Sequence, residues 1–335
     1  MRVKSIHLNA KAMQRSKGKS ATAAAAYRSG EEITDQRTGA VHDYTRKSGV
    51  GENWIVGFSG SRSELWNLAE LSEKRKDSTT AKEFDVALPI ELSPDDRVEL
   101  ARKYSKWLHK QHGCAVDVCI HNLYSDNPHA HIMFSTRAIE PDGSMSDEKI
   151  AREWSDTKRK KHNLPGRKKE LLNERVHFAD VCNYMLRQAG VTGVKYDHRS
   201  YKERGSRKKP TKHHGGHETL HSKLIREYNE AVMAFNRTID EIEVLQHEIE
   251  NQPPEPITDP EPDQKPVISP KIADVLDEMK SNIDEVKVAA ESSNLIDDPS
   301  IFDFSRIKDH ARKLADRIMG RSENSPPSKS RGREL

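Results

Sequence analysis

The stretch Ser125-Asp-Asn-Pro-His129-Ala-His131-Ile-Met-Phe-Ser-Thr136 decides how the chain is read. Asp126, Asn127 and Pro128 are turn residues. From His129 onward the side chains alternate with period two. His129, His131 and Met133 share one face of a strand; Ala130, Ile132 and Phe134 share the other. Residues 114–122 alternate in the same way, with Cys114, Val116, Val118 and Ile120 on one face and Ala115, Asp117, Cys119 and His121 on the other. The short connection between the two strands favours antiparallel pairing, which sets His121 beside His129 and His131. Three neutral imidazoles on one polar sheet face make a metal site with an open fourth position. The plainer alternative is three solvent-facing histidines on an open sheet.

Working outward, residues 2–10 alternate as a first strand, with Ile6 and Leu8 inward and Ser5 and His7 opposite. A basic loop, Arg15-Ser-Lys-Gly-Lys19, leads to Ser20, an N-cap for an Ala-rich helix over residues 21–28 that stops near Gly30 and carries Tyr27. Residues 31–60 read as hairpin or loop. A helix follows over 62–75, with Leu65, Leu68 and Leu71 inward. The next strand, Lys82-Glu-Phe-Asp-Val-Ala-Leu-Pro89, turns Phe84, Val86 and Leu88 to a core and Glu83 and Asp85 to the polar face. Pro94, Asp95 and Asp96 open a helix over 94–112 that Gly113 ends. A further helix spans 170–188. The pattern predicts an α+β fold: a central antiparallel sheet with helices on its apolar face, plus a helical C-terminal extension.

The chain has 335 residues, 34% hydrophobic and 33% charged, too polar for one well-packed domain of that length. Charge is unevenly placed. Residues 218–335 hold 16 Lys and Arg against 25 Asp and Glu, whereas residues 1–217 hold 40 against 28. A basic front and an acidic back point to a polyanion partner for the front. The expected organisation is a domain over 1–217, a long amphipathic helix over 218–250, a Pro-rich acidic linker over 251–270 and an acidic, partly helical tail over 271–335. Helical segments are expected there at 271–290 and 304–319. Three cysteines form no disulfide or zinc-knuckle spacing, which fits a reducing cytoplasm. No apolar run is long enough to span a membrane, and residues 1–11 have no signal-peptide character.

Three segments in this order resemble the MobA/MobL family of plasmid mobilisation relaxases. They are Tyr27 within Ser20-Ala-Thr-Ala-Ala-Ala-Ala-Tyr-Arg-Ser-Gly30, then Phe84-Asp-Val-Ala-Leu-Pro89, then His121 followed by Asn127-Pro-His-Ala-His131. Asp197-His-Arg-Ser-Tyr201 is similar to a downstream segment of that family. The resemblance covers roughly residues 1–217. The tyrosine precedes the histidine pair, the reverse of rolling-circle replication initiators. Long helicase or primase extensions occur in the family; the back of this chain is too short and polar for one.

The resemblance implies a transesterase that nicks single-stranded DNA at a plasmid transfer origin through a 5′-phosphotyrosine and rejoins it. It implies a divalent metal, Mn2+ or Mg2+, and work alongside accessory mobilisation proteins and a coupling protein. Tyr27 is then the nucleophile, with Tyr44 the competing candidate, and His121, His129 and His131 are the metal ligands. Asp126 could orient a ligand from the adjoining turn. Asp85 or Glu83 would take the tyrosine proton or orient a histidine. The basic residues Arg15, Lys17, Lys19 and Arg28, the run Lys158, Arg159, Lys160, Lys161, Arg167 and Lys168, and Arg199 are the candidate phosphate contacts. Two other functions use the same residues: a metal-dependent nuclease with water as nucleophile, and a non-enzymatic DNA-binding protein with a structural metal.

Overall fold

The computed structural model describes residues 2–212 and 219–250. In chain order its elements are β1 (Arg2–Ser5), β2 (Leu8–Gln14), α1 (Ala21–Ser29), β3 (Glu32–Thr34), β4 (Val41–Asp43), β5 (Val50–Val56), α2 (Arg62–Leu71) and β6 (Thr79–Ala87). They continue with α3 (Pro94–His112), β7 (Cys114–His121), β8 (His129–Ile139), β9 (Met145–Lys149), α4 (Asp156–Lys161), α5 (Arg167–Gln188), β10 (Val194–Asp197) and α6 (Leu220–Glu250). The main sheet runs β2-β6-β8-β7-β5, antiparallel throughout, and β9 pairs with the far end of β8. The register sets His121 opposite His129 and Cys119 opposite His131. β1 leaves this sheet and pairs in parallel with β10.

Every residue of β7 is buried, because both faces of the sheet are covered. On one face, Phe84, Val86, Val118, Ile132 and Phe134 meet Leu100, Tyr104 and Leu108 of α3 and Phe178 and Cys182 of α5. α3 starts as its sequence dictates, with a Ser93 cap and Pro94 in its first turn, and ends at Gly113 with φ +66°. The opposite face was expected to be polar along its length; it is graded instead. At one end Ala81, Ala115 and Met133 pack with Ala21, Ala25 and Ala26 of α1 and Leu65, Trp66 and Ala69 of α2. Midway sits a buried ion pair, and the histidines occupy the other end.

That ion pair fixes α2 to the sheet. Asp117 accepts from Arg62 Nε (2.8 Å) and Trp66 Nε1 (2.8 Å), with both charged side chains almost wholly buried. Removing one partner leaves the other charge buried and unpaired. Asp117→Ala should therefore destabilise the protein by about 3–5 kcal/mol, read by chemical denaturation; a loss under about 1 kcal/mol would contradict this role.

Three local expectations differ from the structure. Residues 2–10 form two strands, not one, because the chain breaks at Ile6 and His7. Residues 31–60 hold the β3–β4 hairpin and also β5, an edge strand of the main sheet. A register shift between Val50 and Asn53 and exposed polar residues hide its alternation. α2 stops at Leu71, which is 54% exposed. Its buried stripe is Leu65, Trp66 and Ala69. Positions i, i+1 and i+4 share a helix face more closely than i, i+3 and i+6.

The chain divides into two compact units, Met1–Ser200 and Tyr201–Leu335. In the second, α6 buries Tyr228, Val232, Phe235, Ile239 and Ile242, a stripe its period predicts. The basic segment before it is tied to α6. Lys208 pairs with Asp240, Lys209 N donates to Asn236 Oδ1 (2.8 Å), and Lys212 N donates to Asn229 Oδ1 (2.7 Å). The linker over 251–270 and the helical segments expected at 271–290 and 304–319 lie outside the described residues.

Candidate active site

Two adjacent strands deliver three imidazoles to one place. One nitrogen from each of His121, His129 and His131 lies within 4.8 Å of the others. The ring centroids are 5.4, 4.7 and 5.2 Å apart, and the rings meet edge to face. Each ring is held by an oxygen acceptor. His121 Nε2 donates to the Arg28 carbonyl (2.6 Å), His129 Nδ1 to the Asn127 carbonyl (2.9 Å), and His131 Nδ1 to Glu83 Oε1 (2.8 Å). A neutral imidazole has one N–H, so these bonds leave a lone pair on Nδ1 of His121 and on Nε2 of His129 and His131. Metal-binding histidines are oriented in this manner, by a carbonyl or carboxylate on the nitrogen facing away from the ion. The donor set therefore suits a metal. Burial pushes His121 down to about 4; its bond to the Arg28 carbonyl opposes this, and the Lys47 charge adds to it. It is neutral near pH 7, as a ligand must be.

Glu83 is completely buried behind His131. Burial alone would raise its carboxyl, but hydrogen bonds from His131 and Arg28 hold it down at about 2. Asp85, opposite His131 in the register, is tied to Lys11 Nζ (2.9 Å). That contact lowers its carboxyl despite burial. Both groups stay ionised and partnered at neutral pH, which makes them weak proton acceptors. The structure shows Glu83 hydrogen-bonded to the His131 ring.

Tyr27 is on the last turn of α1, and that helix is pinned at both ends. At its start, Ser20 caps the Ala23 amide, and the Ala21 amide donates to Glu70 Oε1 (2.7 Å). At its end, the Arg28 carbonyl accepts a hydrogen bond from His121, and Gly30 closes the helix with φ +69°. The buried alanines let the helix backbone sit close to the sheet and α2. Tyr27 itself is 48% exposed. Tyr44 meets its ring edge-on (centroids 5.2 Å), and Lys47 Nζ lies 3.7 Å from the ring centroid and donates to the Tyr27 carbonyl (2.7 Å). Burial, reinforced by the Arg28 charge, lowers Lys47 to about 8. Lys47 was not a candidate from the sequence. It sits in a turn-rich stretch, and only the fold brings it to Tyr27.

The basic candidates separate into internal and exposed groups. Arg15 is internal: it pairs with Glu70 and donates to the Glu73 carbonyl (2.5 Å). Arg159 is internal too, bound to Glu170 (2.5 Å) and to the Pro165 and Ala151 carbonyls (2.6 Å each). Arg28 is engaged with Glu83. These three arginines are corrected from surface contacts to structural struts, since a five-donor fork can satisfy several buried acceptors at once. Lys17, Lys19, Lys160, Lys161, Arg167 and Lys168 are exposed. Lys158 lies over Trp154 (3.9 Å), and Arg199 pairs with Asp197 (2.8 Å) while half exposed. Between β2 and the start of α1 a cleft of about 270 Å³ is lined by Lys11, Gly18, Lys19, Ser20, Ala23 and Arg28, among others.

A second potential ligand set among the described residues is His112, Glu170 and Glu174. It suits a cation poorly. Arg152 grips both Glu174 oxygens (2.5 and 2.9 Å) and Arg159 holds Glu170, so the cluster is already neutralised.

The profile of the MobA/MobL family matches residues 19–223. Mobilization protein MobL of Acidithiobacillus ferridurans is 36% identical over 238 residues, 62% of this chain and 61% of that protein. Conjugal transfer protein TraA of Rhizobium radiobacter is 28% identical over 328 residues, 90% of this chain but 28% of its own length. The 43 kDa relaxation protein of Salmonella typhimurium is 33% identical over 159 residues, 43% of this chain and 41% of that protein. The chain thus spans less than two thirds of these relatives. A chain solved in work on the molecular basis of vancomycin resistance transfer in Staphylococcus aureus is 27% identical, with a TM-score of 0.50 over 59% of this chain and 100% of that one.

Proposed function

The chain belongs to the MobA/MobL family, and on that premise we propose that it is a relaxase that nicks and rejoins single-stranded DNA at a plasmid transfer origin. One observation carries this: three oriented imidazoles converge on one sheet face, and the carbonyl bonded by one of them belongs to the residue after Tyr27. Tyr27 is the nucleophile. Its oxygen attacks phosphorus, the bond to the 3′-oxygen breaks, and a 5′-phosphotyrosine and a free 3′-hydroxyl result. Bond energy is retained, so the step reverses and the strand is rejoined. A phenol has a pKa near 10. Tyr27 is half exposed, and its proton goes to solvent because Glu83 and Asp85 are held as weak bases. Lys47 holds positive charge against the attacking ring.

His121, His129 and His131 would hold the metal, Mn2+ or Mg2+. When bound, such an ion neutralises the non-bridging phosphate oxygens and orients the scissile group. The exposed lysines of the N-terminal loop and of residues 158–169 supply phosphate contacts, with Lys11 and Lys19 in the cleft beside α1. The nicking domain is residues 1–217, with the C-terminal segments as a tether. Accessory mobilisation proteins and a coupling protein would complete the transfer machinery. Among the described residues no helix is long and apolar enough to cross a membrane.

The test is a denaturing gel after incubation with labelled single-stranded origin DNA and Mn2+. A relaxase gives labelled protein. Cut DNA without labelled protein would mean water is the nucleophile, and intact DNA would mean a binding protein only. Salt offers a second check. Each phosphate contact contributes roughly −0.7 to the slope of log affinity against log salt for single strands, so several exposed lysines predict a slope of about −3 or steeper. A slope near zero would make these lysines bystanders.

A further inference from the structure

We propose that Arg28 is a positioning residue that sets the ring tautomers of His121 and His131, and so couples the helix carrying Tyr27 to the metal centre. This rests on reading the three histidines as metal ligands. Two separate parts of Arg28 are involved. Its carbonyl accepts a hydrogen bond from His121 Nε2–H (2.6 Å). Its guanidinium grips Glu83 at both oxygens, Nε to Oε1 (2.5 Å) and Nη2 to Oε2 (2.6 Å). The third nitrogen, Nη1, donates back to the Ala24 carbonyl of its own helix (2.8 Å). The gripped Oε1 is the atom that accepts His131 Nδ1–H (2.8 Å).

The chain of contacts is therefore Ala24, Arg28, Glu83, His131, with His121 bonded to the same Arg28. Glu83 has no exposure to water. Its orientation depends on protein donors alone, and Arg28 supplies two of them in a planar fork. With the fork in place Oε1 accepts from His131, the ring proton stays on Nδ1, and Nε2 keeps its lone pair. Without it the carboxylate can rotate, and the proton is free to settle on Nε2, where it would block a metal. A shift of α1 would disturb both ligands at once. Tyr27 immediately precedes Arg28, so nucleophile placement and ligand readiness share one anchor.

The experiment compares full-length wild type, Arg28→Ala and Arg28→Lys, metal-free and then titrated with Mn2+. Histidine tautomers are read by 15N NMR without metal. Wild type should show His131 protonated at Nδ1 and His121 at Nε2. In Arg28→Ala, His131 should become a tautomer mixture while His121 is unchanged, because the backbone carbonyl survives the substitution. Mn2+ affinity by calorimetry should fall about 10–100-fold, the range for loss of a group that orients a ligand. Arg28→Lys keeps the charge but has no fork, and should fall between. If Arg28→Ala fails to fold, Arg28→Lys carries the comparison alone. Wild-type tautomers and wild-type Mn2+ affinity in the folded variants would overturn the inference. Failure of the wild type to bind Mn2+ would overturn the metal reading, and the tautomer comparison would still decide the role of Arg28.

Discussion

Tyr27→Phe should abolish both strand cleavage and the labelled protein band, lowering the rate by at least about 10⁴-fold, because on the proposed reading it deletes the attacking oxygen. Fold, metal binding and DNA affinity should remain. The ring is positioned by contacts that do not use its hydroxyl: the edge of Tyr44, the ammonium of Lys47 and a helix fixed at both ends. Phenylalanine keeps all of them. If cleavage persists without the adduct, water is the nucleophile. If both persist, the attacking group is elsewhere, and Tyr44 is the next candidate because it already touches the Tyr27 ring.

His131→Ala should reduce Mn2+ affinity by at least about 100-fold and cleavage in proportion, since it removes a proposed ligand and the partner of the buried Glu83 together. Single-stranded DNA affinity should stay within about threefold of wild type, because phosphate contacts dominate that affinity and lie on other residues. Calorimetry and filter binding on the same preparation separate the two effects. Wild-type cleavage with an undiminished response to chelator would remove His131 from the ligand set.

The histidine cluster was legible because strand alternation is a strict rule. Once residues 114–122 and the strand from His129 are read with period two and paired across a short turn, the faces of His121, His129 and His131 follow. The register then brings those faces together. α3 was legible for a similar reason: its Ser93, Pro94 and Gly113 each have a defined physical role at a helix end. β5 was not legible. Its bulge breaks the alternation, and as an edge strand it needs less apolar sequence. The fate of the basic residues was hidden as well. Arg15, Arg28 and Arg159 look like Lys17, Lys19 and Lys160 in a charge count, and only the positions of Glu70, Glu83 and Glu170 in space separate struts from surface. Lys47 shows the same limit, because its contact with Tyr27 depends on how the hairpin folds back over α1.

The parallel pairing of β1 with β10 has a consequence for synthesis. Arg2 to Ser5 leave the ribosome before every other strand of this unit, yet their partners, Val194 to Asp197, come at its end. Ile6 also donates its amide to the Asp197 carbonyl (2.9 Å). The first strand therefore waits for nearly the whole unit to be translated before its edge is matched. Contacts this distant in sequence slow folding. The run β2-β6-β8-β7-β5, by contrast, has all five of its strands once β8 has emerged. The histidine strands can assemble early, while closure of the unit around them waits for β10.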